Sequence, residues 1–117
     1  MRVYLSGPVA GIPNDNREAF NNAEEYFLMR GYEVVNPIKI GEGLKLRLKR
    51  EPMYKEYLLE DISYLMYCHI IYLLPNWEQS TRAVIERDVA KGLHLMITSY
   101  LLSDEEMGKF RKDIGKI

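Results

Sequence analysis

One helix of this sequence carries a carboxylate on its apolar side. When residues 80–93 are placed at intervals of 100°, Glu86 falls in the middle of an arc of apolar side chains: Ala83, Ile85, Val89, Ala90 and Leu93. A carboxylate at such a position must be paired or must face a cavity, because burying it unpaired is costly. Glu86 is therefore a candidate catalytic residue. The alternatives are a buried salt bridge and a frayed helix start that lets Glu86 reach water.

The helix before it repeats this pattern with a second carboxylate. Asp61 shares a helix face with five apolar or aromatic residues: Tyr54, Tyr57, Leu58, Ile62 and Leu65. Two acidic side chains at apolar positions are the residue types that general acid–base and nucleophilic chemistry require. Asp61 is thus a second candidate, and the competing interpretation is that it caps a neighbouring loop.

Two further features predict a place for a ligand. Ser80 is at the expected N-cap of the Glu86 helix, where unpaired backbone amides and the helix dipole favour an anion such as phosphate. An ordinary N-cap serine is the alternative. The turn Ser6-Gly7-Pro8 and its continuation to Gly11 let the backbone approach a ligand closely, although they match neither G-x-G-x-x-G nor a P-loop.

The remaining polar candidates carry weaker signals. His69 and His94 precede strands, and their spacing from Cys68 is not that of a zinc site, so we predict no metal. The basic stretch from Lys45 to Arg50 is interpreted as a solvated face, or alternatively as a flap over a phosphate.

Strands and helices are expected to alternate along the chain. Strands are predicted at 3–5, 33–35, 69–74 and 95–97, and helices at about 15–30, 52–67, 80–91 and from about residue 104. Asp15 and Glu18 have capping-box spacing, and Pro52 suits the first position of a helix. Residues 38–50 have strand periodicity, although a helix or mobile loop fits equally well.

This order predicts an α/β fold: a three-layer, doubly wound (flavodoxin- or Rossmann-like) parallel sheet of four to five strands with helices on both faces. Ligands bind such sheets at the carboxyl ends of the strands. We therefore expect Ser6-Gly7-Pro8, Asn36-Pro37 and Pro75-Asn76-Trp77 to surround one cleft.

Composition limits the class of protein. The 117 residues suit a single domain (1–117), and 47% hydrophobic with 28% charged residues is typical of globular chains. A net charge of −1 argues against nucleic acid as a partner, and no apolar run is long enough to span a membrane. With one cysteine and no signal-peptide pattern, the expected location is cytoplasmic.

Residues spread over 2–97 resemble the DUF4406 group, which is similar to nucleoside 2-deoxyribosyltransferases and deoxynucleoside 5′-monophosphate N-glycosidases. The matching residues are Tyr4 to Pro8, Asn16, Phe20, Asn36-Pro37, Asp61, Ile70 to Glu78, Ser80, Ala83, Glu86 and Ala90. The resemblance implies cleavage or transfer at the N-glycosidic bond of a (deoxy)nucleotide or nucleoside. Alternatives are a non-catalytic nucleotide-binding or sensor module and a purely structural or interaction protein.

The resemblance also implies roles for individual residues. Glu86 would be the nucleophile, Tyr4 would orient it, and Ser80 would bind a 5′-phosphate. Relatives usually carry an aspartate at the position of His69 that assists protonation of the base, so His69 would be a general acid or a sign of lost catalysis. The topology, however, puts His69 at the wrong sheet edge for either role, and Asp61 would then be the substitute acid.

The predicted substrate-binding residues are those of the cleft and the motif: Ser6, Gly7, Pro8, Asn16, Asn36, Pro37, Pro75, Trp77 and Ser80. No cofactor is expected. The resemblance further implies a homodimer or higher homo-oligomer. The tyrosine-rich helix at 54–67 is a candidate interface, and core packing is the alternative explanation for some of its rings.

Overall fold

Helices connect four short parallel strands in the computed structural model, which describes residues 1–99. In chain order the elements are β1 (Arg2–Ser6), α1 (Arg17–Leu28), β2 (Glu33–Val35), α2 (Pro37–Leu48), α3 (Tyr54–Leu65), β3 (Ile70–Leu73), α4 (Thr81–Gly92) and β4 (Met96–Thr98). Short 3₁₀ turns at Pro13–Asn16 and Trp77–Gln79 precede α1 and α4. The helix predicted from about residue 104 lies outside the described residues.

The strands form one parallel sheet in the order β2-β1-β3-β4. Val3 pairs with Val34 on one side and with Ile70 on the other, so β1 is central. The strand order reverses between β1 and β3, and this switch point opens a crevice at their carboxyl ends. The predicted three-layer α/β fold with four parallel strands is confirmed.

Alternation along β1 divides the core between the two faces of the sheet. Val3 and Leu5 face α1, where Phe20 and Phe27 are fully buried. Tyr4 faces the opposite layer, which contains Leu65 of α3 and Ala90 of α4. The site described below lies on this second face. None of the helices within residues 1–99 is long and apolar enough to cross a membrane.

The segment 38–50 is helical, which decides between the interpretations left open by its periodicity. Asn36 accepts a hydrogen bond from the Ile38 amide at 3.1 Å, and Pro37 occupies the first turn. This N-cap favours a helix more strongly than the alternating leucines favour a strand. In the helix Leu44 is buried, while Leu46 is 80% exposed. The helix ends at Lys49, whose backbone is left-handed.

Two predicted helix starts are wrong in detail. Asp15 and Glu18 form no capping box, because Asn14, Asp15 and Asn16 all have positive φ and Asn16 caps α1 without a side-chain bond. The third helix begins two residues after Pro52, with Met53 as its N-cap and Glu56 bonded back to the Met53 amide at 2.9 Å.

Candidate active site

Glu86 is buried at the centre of the second face of the sheet. The residue is 2% exposed, and each carboxylate oxygen accepts one hydroxyl hydrogen bond. Tyr4 donates to Oε2 at 2.7 Å, and Ser6 donates to Oε1 at 2.7 Å. The helical phase predicted that Glu86 is either paired or faces a cavity, and in the structure it is buried and paired.

Strand geometry explains this pair of donors. Tyr4 and Ser6 are two residues apart in β1, so their side chains leave the same face of the sheet. Ser6 is the last residue of the strand, which places its hydroxyl at the edge where the crevice opens. Burial and the adjoining Glu86 and Asp61 carboxylates raise the pKa of Tyr4 well above its usual value. Tyr4 therefore remains a protonated donor to Glu86.

Asp61 and Arg82 complete the buried cluster. Asp61 is fully buried on α3, and its Oδ2 accepts from the Arg82 Nε at 2.6 Å and also from the Arg82 Nη2. The same Nε lies 3.9 Å from Glu86 Oε2, across one turn of α4. Arg82 thus links both carboxylates, whereas Asp61 Oδ1 is buried without a hydrogen-bond partner.

The cluster contains two acids and one cation. Burial and the neighbouring Glu86 carboxylate raise the pKa of Asp61 to about 8, against the opposing effect of Arg82. Burial alone would lower the pKa of Arg82, but Asp61 and Glu86 reverse this effect and raise it. Arg82 therefore stays charged, and Asp61 is the acid of the pair that holds a proton near neutral pH.

A cleft of about 590 Å³ opens beside the cluster at the carboxyl edge of the sheet. Its walls come from the loop after β1, the start and middle of α2, the start of α3 and the start of α4. Its lining includes Gly7, Pro8, Tyr57, Ser80, Thr81 and Arg82. This volume suits a small organic ligand.

The loop after β1 is shaped by two specific contacts. A Cβ on Gly7 would lie 2.7 Å from the Leu74 Cβ, so only glycine permits this approach. Asn16 donates to the Pro8 carbonyl at 3.0 Å and holds the far side of the loop. Asn16 therefore contributes to the cleft through the position of Pro8.

The start of α4 has the predicted N-cap. Ser80 accepts from the Ala83 amide at 3.2 Å, and the first intrahelical bond runs from the Val84 amide to the Ser80 carbonyl. The amides of Thr81 and Arg82 precede that bond, at the positive end of the helix dipole. This end of α4 lines the cleft, as an anion site requires.

Charged side chains around the cleft mouth are paired with one another. Arg17 contacts Glu42 at 2.5 Å, and Lys45 lies 3.2 Å from Glu51. The interpretation of the 45–50 stretch as a solvated face holds for Arg47 and Arg50, which pair with acids of α3. Lys45 alone of that stretch lines the cleft.

Several predicted site residues lie away from the cleft. Asn36 is buried as the cap of α2, and only its neighbour Pro37 lines the cavity. Pro75 is exposed, while Trp77 packs against the core beneath α4. Neither Pro75 nor Trp77 lines the cleft. Ser6 does not line it either, because it is fully buried with its hydroxyl bonded to Glu86.

His69 lies at the opposite edge of the sheet. It immediately precedes β3, where its backbone amide donates to the Arg2 carbonyl at 2.9 Å and its Nδ1 accepts from the Arg2 amide at 3.1 Å. The topological argument therefore places His69 correctly, away from Glu86. Asp61 is the acidic group that the fold brings to the cluster.

Arg82 is the site residue that sequence reasoning missed. It precedes Glu86 by four residues, and that spacing places both side chains on one stripe of α4. This spacing could have indicated a role for Arg82, but an arginine in the first turn of a helix is ordinarily solvent-exposed. Within residues 1–99, no group of three or more His, Cys, Asp and Glu side chains is arranged to hold a metal ion.

Comparison with protein-family models agrees with the resemblance of the sequence to the DUF4406 group. The sequence profile described as "Domain of unknown function (DUF4406)" matches residues 1–99. The chain belongs to the DUF4406 family. In this DUF4406 protein the match covers every strand and helix described above, together with Glu86, Asp61 and Ser80. No curated protein matches the chain.

Proposed function

We propose that this DUF4406 protein cleaves the N-glycosidic bond of a (deoxy)nucleotide or nucleoside, with Glu86 as nucleophile. The observation that carries the proposal is the pairing of two buried carboxylates in different environments. Glu86 accepts hydrogen bonds from Tyr4 and Ser6, which orient both of its carboxylate oxygens. Asp61 instead retains a proton, and such a division of roles is typical of glycosidic catalysis.

The chemistry requires one bond to form and one to break at the anomeric carbon. An oxygen of Glu86 attacks C1′, the C1′–N bond breaks, and its electron pair leaves with the base. Asp61 donates its proton to the departing base. Water activated by the resulting Asp61 carboxylate then cleaves the glycosyl ester, which gives free sugar, whereas a second base in place of water gives transfer.

Two observations support a nucleotide as the preferred substrate. The start of α4 lines the cleft with Ser80 at its N-cap, and helix N-termini bind phosphate through their amides. The resemblance to deoxynucleoside 5′-monophosphate N-glycosidases rests on the same serine, six residues before Glu86. The aromatic ring of Tyr57 on the cleft wall offers a stacking surface for a base.

Release of free base from deoxynucleoside 5′-monophosphates tests the proposal directly. Chromatography should detect base with the unmodified protein, and Glu86→Gln should reduce its rate by at least ~10³-fold, since the covalent route is lost. Glu78→Gln, an exposed residue just before α4, is the matched control and should keep full activity. Unchanged turnover in Glu86→Gln would exclude Glu86 as nucleophile.

One observation favours a second candidate, a non-catalytic nucleotide-binding or sensor module. Both oxygens of Glu86 are already hydrogen-bonded, and the residue does not line the cleft. A binding module predicts saturable binding of a nucleoside monophosphate by calorimetry, weakened by Ser80→Ala, with no release of base. The chromatographic assay on the same samples separates the two candidates.

A further inference from the structure

Arg82 stands between the cleft and the buried acids. Its side chain is 20% exposed and lines the cleft, whereas the side chains of Asp61 and Glu86 are 1% and 3% exposed and do not line it. A molecule in the cleft therefore meets the guanidinium first. For the anomeric carbon of a bound sugar to reach Glu86, the side chain of Arg82 must move.

The contacts that hold Arg82 in place all lie on α3 and α4. The guanidinium bonds to Asp61, and its Cζ lies 5.2 Å from the centre of the Tyr57 ring. The backbone of Arg82, however, belongs to the first turn of α4, beside Ser80 and Thr81. A rotation of its flexible side chain is enough to carry the guanidinium from Asp61 to an anion bound at that helix start.

We propose that Arg82 is a specificity-determining gate, closed by its bond to Asp61 and opened by the phosphate of a nucleotide substrate. This inference rests on the function proposed above and adds the mechanism of its substrate selection. A phosphate at the start of α4 competes with Asp61 for the guanidinium and can accept two hydrogen bonds from it. A nucleoside without phosphate offers no competing charge, so the gate stays closed.

Movement of Arg82 away from Asp61 also affects the protonation of Asp61. When the guanidinium leaves, the two carboxylates lose the cation that they share, and the buried pair then favours one proton more strongly. Asp61, which holds a proton near neutral pH while the gate is closed, then retains that proton more firmly until the base departs. Phosphate binding thus exposes the nucleophile and keeps the acid protonated in a single movement.

Paired kinetics on a deoxynucleoside 5′-monophosphate and its deoxynucleoside test the gate. We expect a preference for the monophosphate of ~100-fold in kcat/KM, the value of one or two charge-assisted hydrogen bonds. Arg82→Ala should reduce this ratio at least ~10-fold and should raise kcat/KM for the nucleoside. A purely structural role for Arg82 would lower both values alike and leave the ratio unchanged, which would overturn the proposal.

Arg87→Ala provides the matched control on the same helix. Arg87 is half-exposed and contacts Asp88 at 3.2 Å, away from the cleft lining. For Arg87→Ala, the ratio of kcat/KM for the monophosphate to kcat/KM for the nucleoside should stay within about twofold of that of the unmodified protein. A loss of preference equal to that of Arg82→Ala would show that any positive charge on α4 suffices, and it would overturn the gate.

A second measurement does not depend on turnover. A carbodiimide and an amine together label accessible carboxylates. Mass spectrometry then measures the extent of labelling of Glu86, with the exposed Glu78 as internal reference. Inorganic sulfate, compared with sodium chloride at equal ionic strength, should raise the labelling of Glu86 severalfold in the unmodified protein. Arg82→Ala should show high labelling that is independent of sulfate. Equal, low labelling in both proteins would overturn the gate.

The two measurements keep the two proposals separate. If the unmodified protein turns over neither substrate, the proposed function fails, whereas the labelling still decides the gate. If Arg82→Ala does not fold because the two buried acids lose the cation that they share, the double substitution Arg82→Gln with Asp61→Asn removes one of those acids. Labelling of Glu86 in the double variant must then be high and independent of sulfate for the gate to stand.

Discussion

The hydrogen bond from Tyr4 to Glu86 predicts a specific pattern of energetic coupling. Tyr4→Phe removes only the hydroxyl and leaves the buried ring in place. The lost bond is 2.7 Å long and ends on a carboxylate, so we expect the free energy of unfolding to fall by about 1.5–3 kcal/mol. Because the Glu86 oxygen is then buried with one partner fewer, the upper half of this range is expected.

The same substitution should behave differently once Glu86 is absent. In a Glu86→Ala background the Tyr4 hydroxyl has lost its acceptor, and an unsatisfied buried hydroxyl itself costs about 1–3 kcal/mol. Tyr4→Phe should therefore be neutral or stabilising there, which gives a coupling energy of at least ~1.5 kcal/mol for the cycle. Urea denaturation of the four proteins measures it, with Trp77, the single tryptophan, as fluorescent probe.

Tyr72 supplies the control for this cycle. It is a buried tyrosine of β3 in the core cluster on the opposite face of the sheet. Tyr72→Phe should change stability by the same amount in both backgrounds, because distant sites add independently. If Tyr4→Phe also has equal effects in both backgrounds, its hydroxyl does not bind Glu86, and the proposed orientation of the nucleophile is wrong.

Two further predictions concern Asp61 and Gly7. The pKa of Asp61 is about 8 in the folded protein and ~3.9 when unfolded, so the folded state holds the extra proton between those values. Stability should therefore fall as pH rises from about 4 to 8, and Asp61→Asn should remove this component of the urea-derived profile. The kcat/KM for base release, which reports the free protein, should decline above about pH 8 as the acid is lost, and a kcat/KM profile that lacks this limb would exclude Asp61 as donor. Gly7→Ala should destabilise the protein by ~1–3 kcal/mol, because the added methyl meets Leu74 at 2.7 Å. Gly43→Ala in α2, where a Cβ meets nothing within 4 Å, should instead stabilise the protein by ~0.5–1 kcal/mol. If thermal melts show that both substitutions shift the melting temperature in the same direction, the steric argument is wrong.

The sequence by itself predicted the four strands, the helices other than α2, and the position of Glu86 on the apolar side of its helix. These predictions depend on periodicities of 2 and 3.6 residues, which are properties of local backbone geometry. Ser80 was predicted as an N-cap for the same reason, since the capping hydrogen bond spans three residues. Helix starts were less accurate. The left-handed run at Asn14–Asn16 has no signature in residue type beyond the preference of Asn and Asp for that conformation.

Only the tertiary structure decided which polar residues meet. Tyr4, Asp61 and Glu86 are far apart in the chain, and their contacts depend on the packing of α3 and α4 on one face of β1. For His69 the structure decided between the topological argument and the role implied by the resemblance, in favour of the far edge of the sheet. It also brought Arg82 between the two acids, because helix docking sets those distances. Local patterns indicate which side chains are buried, but the partner of a buried charge is chosen by the fold.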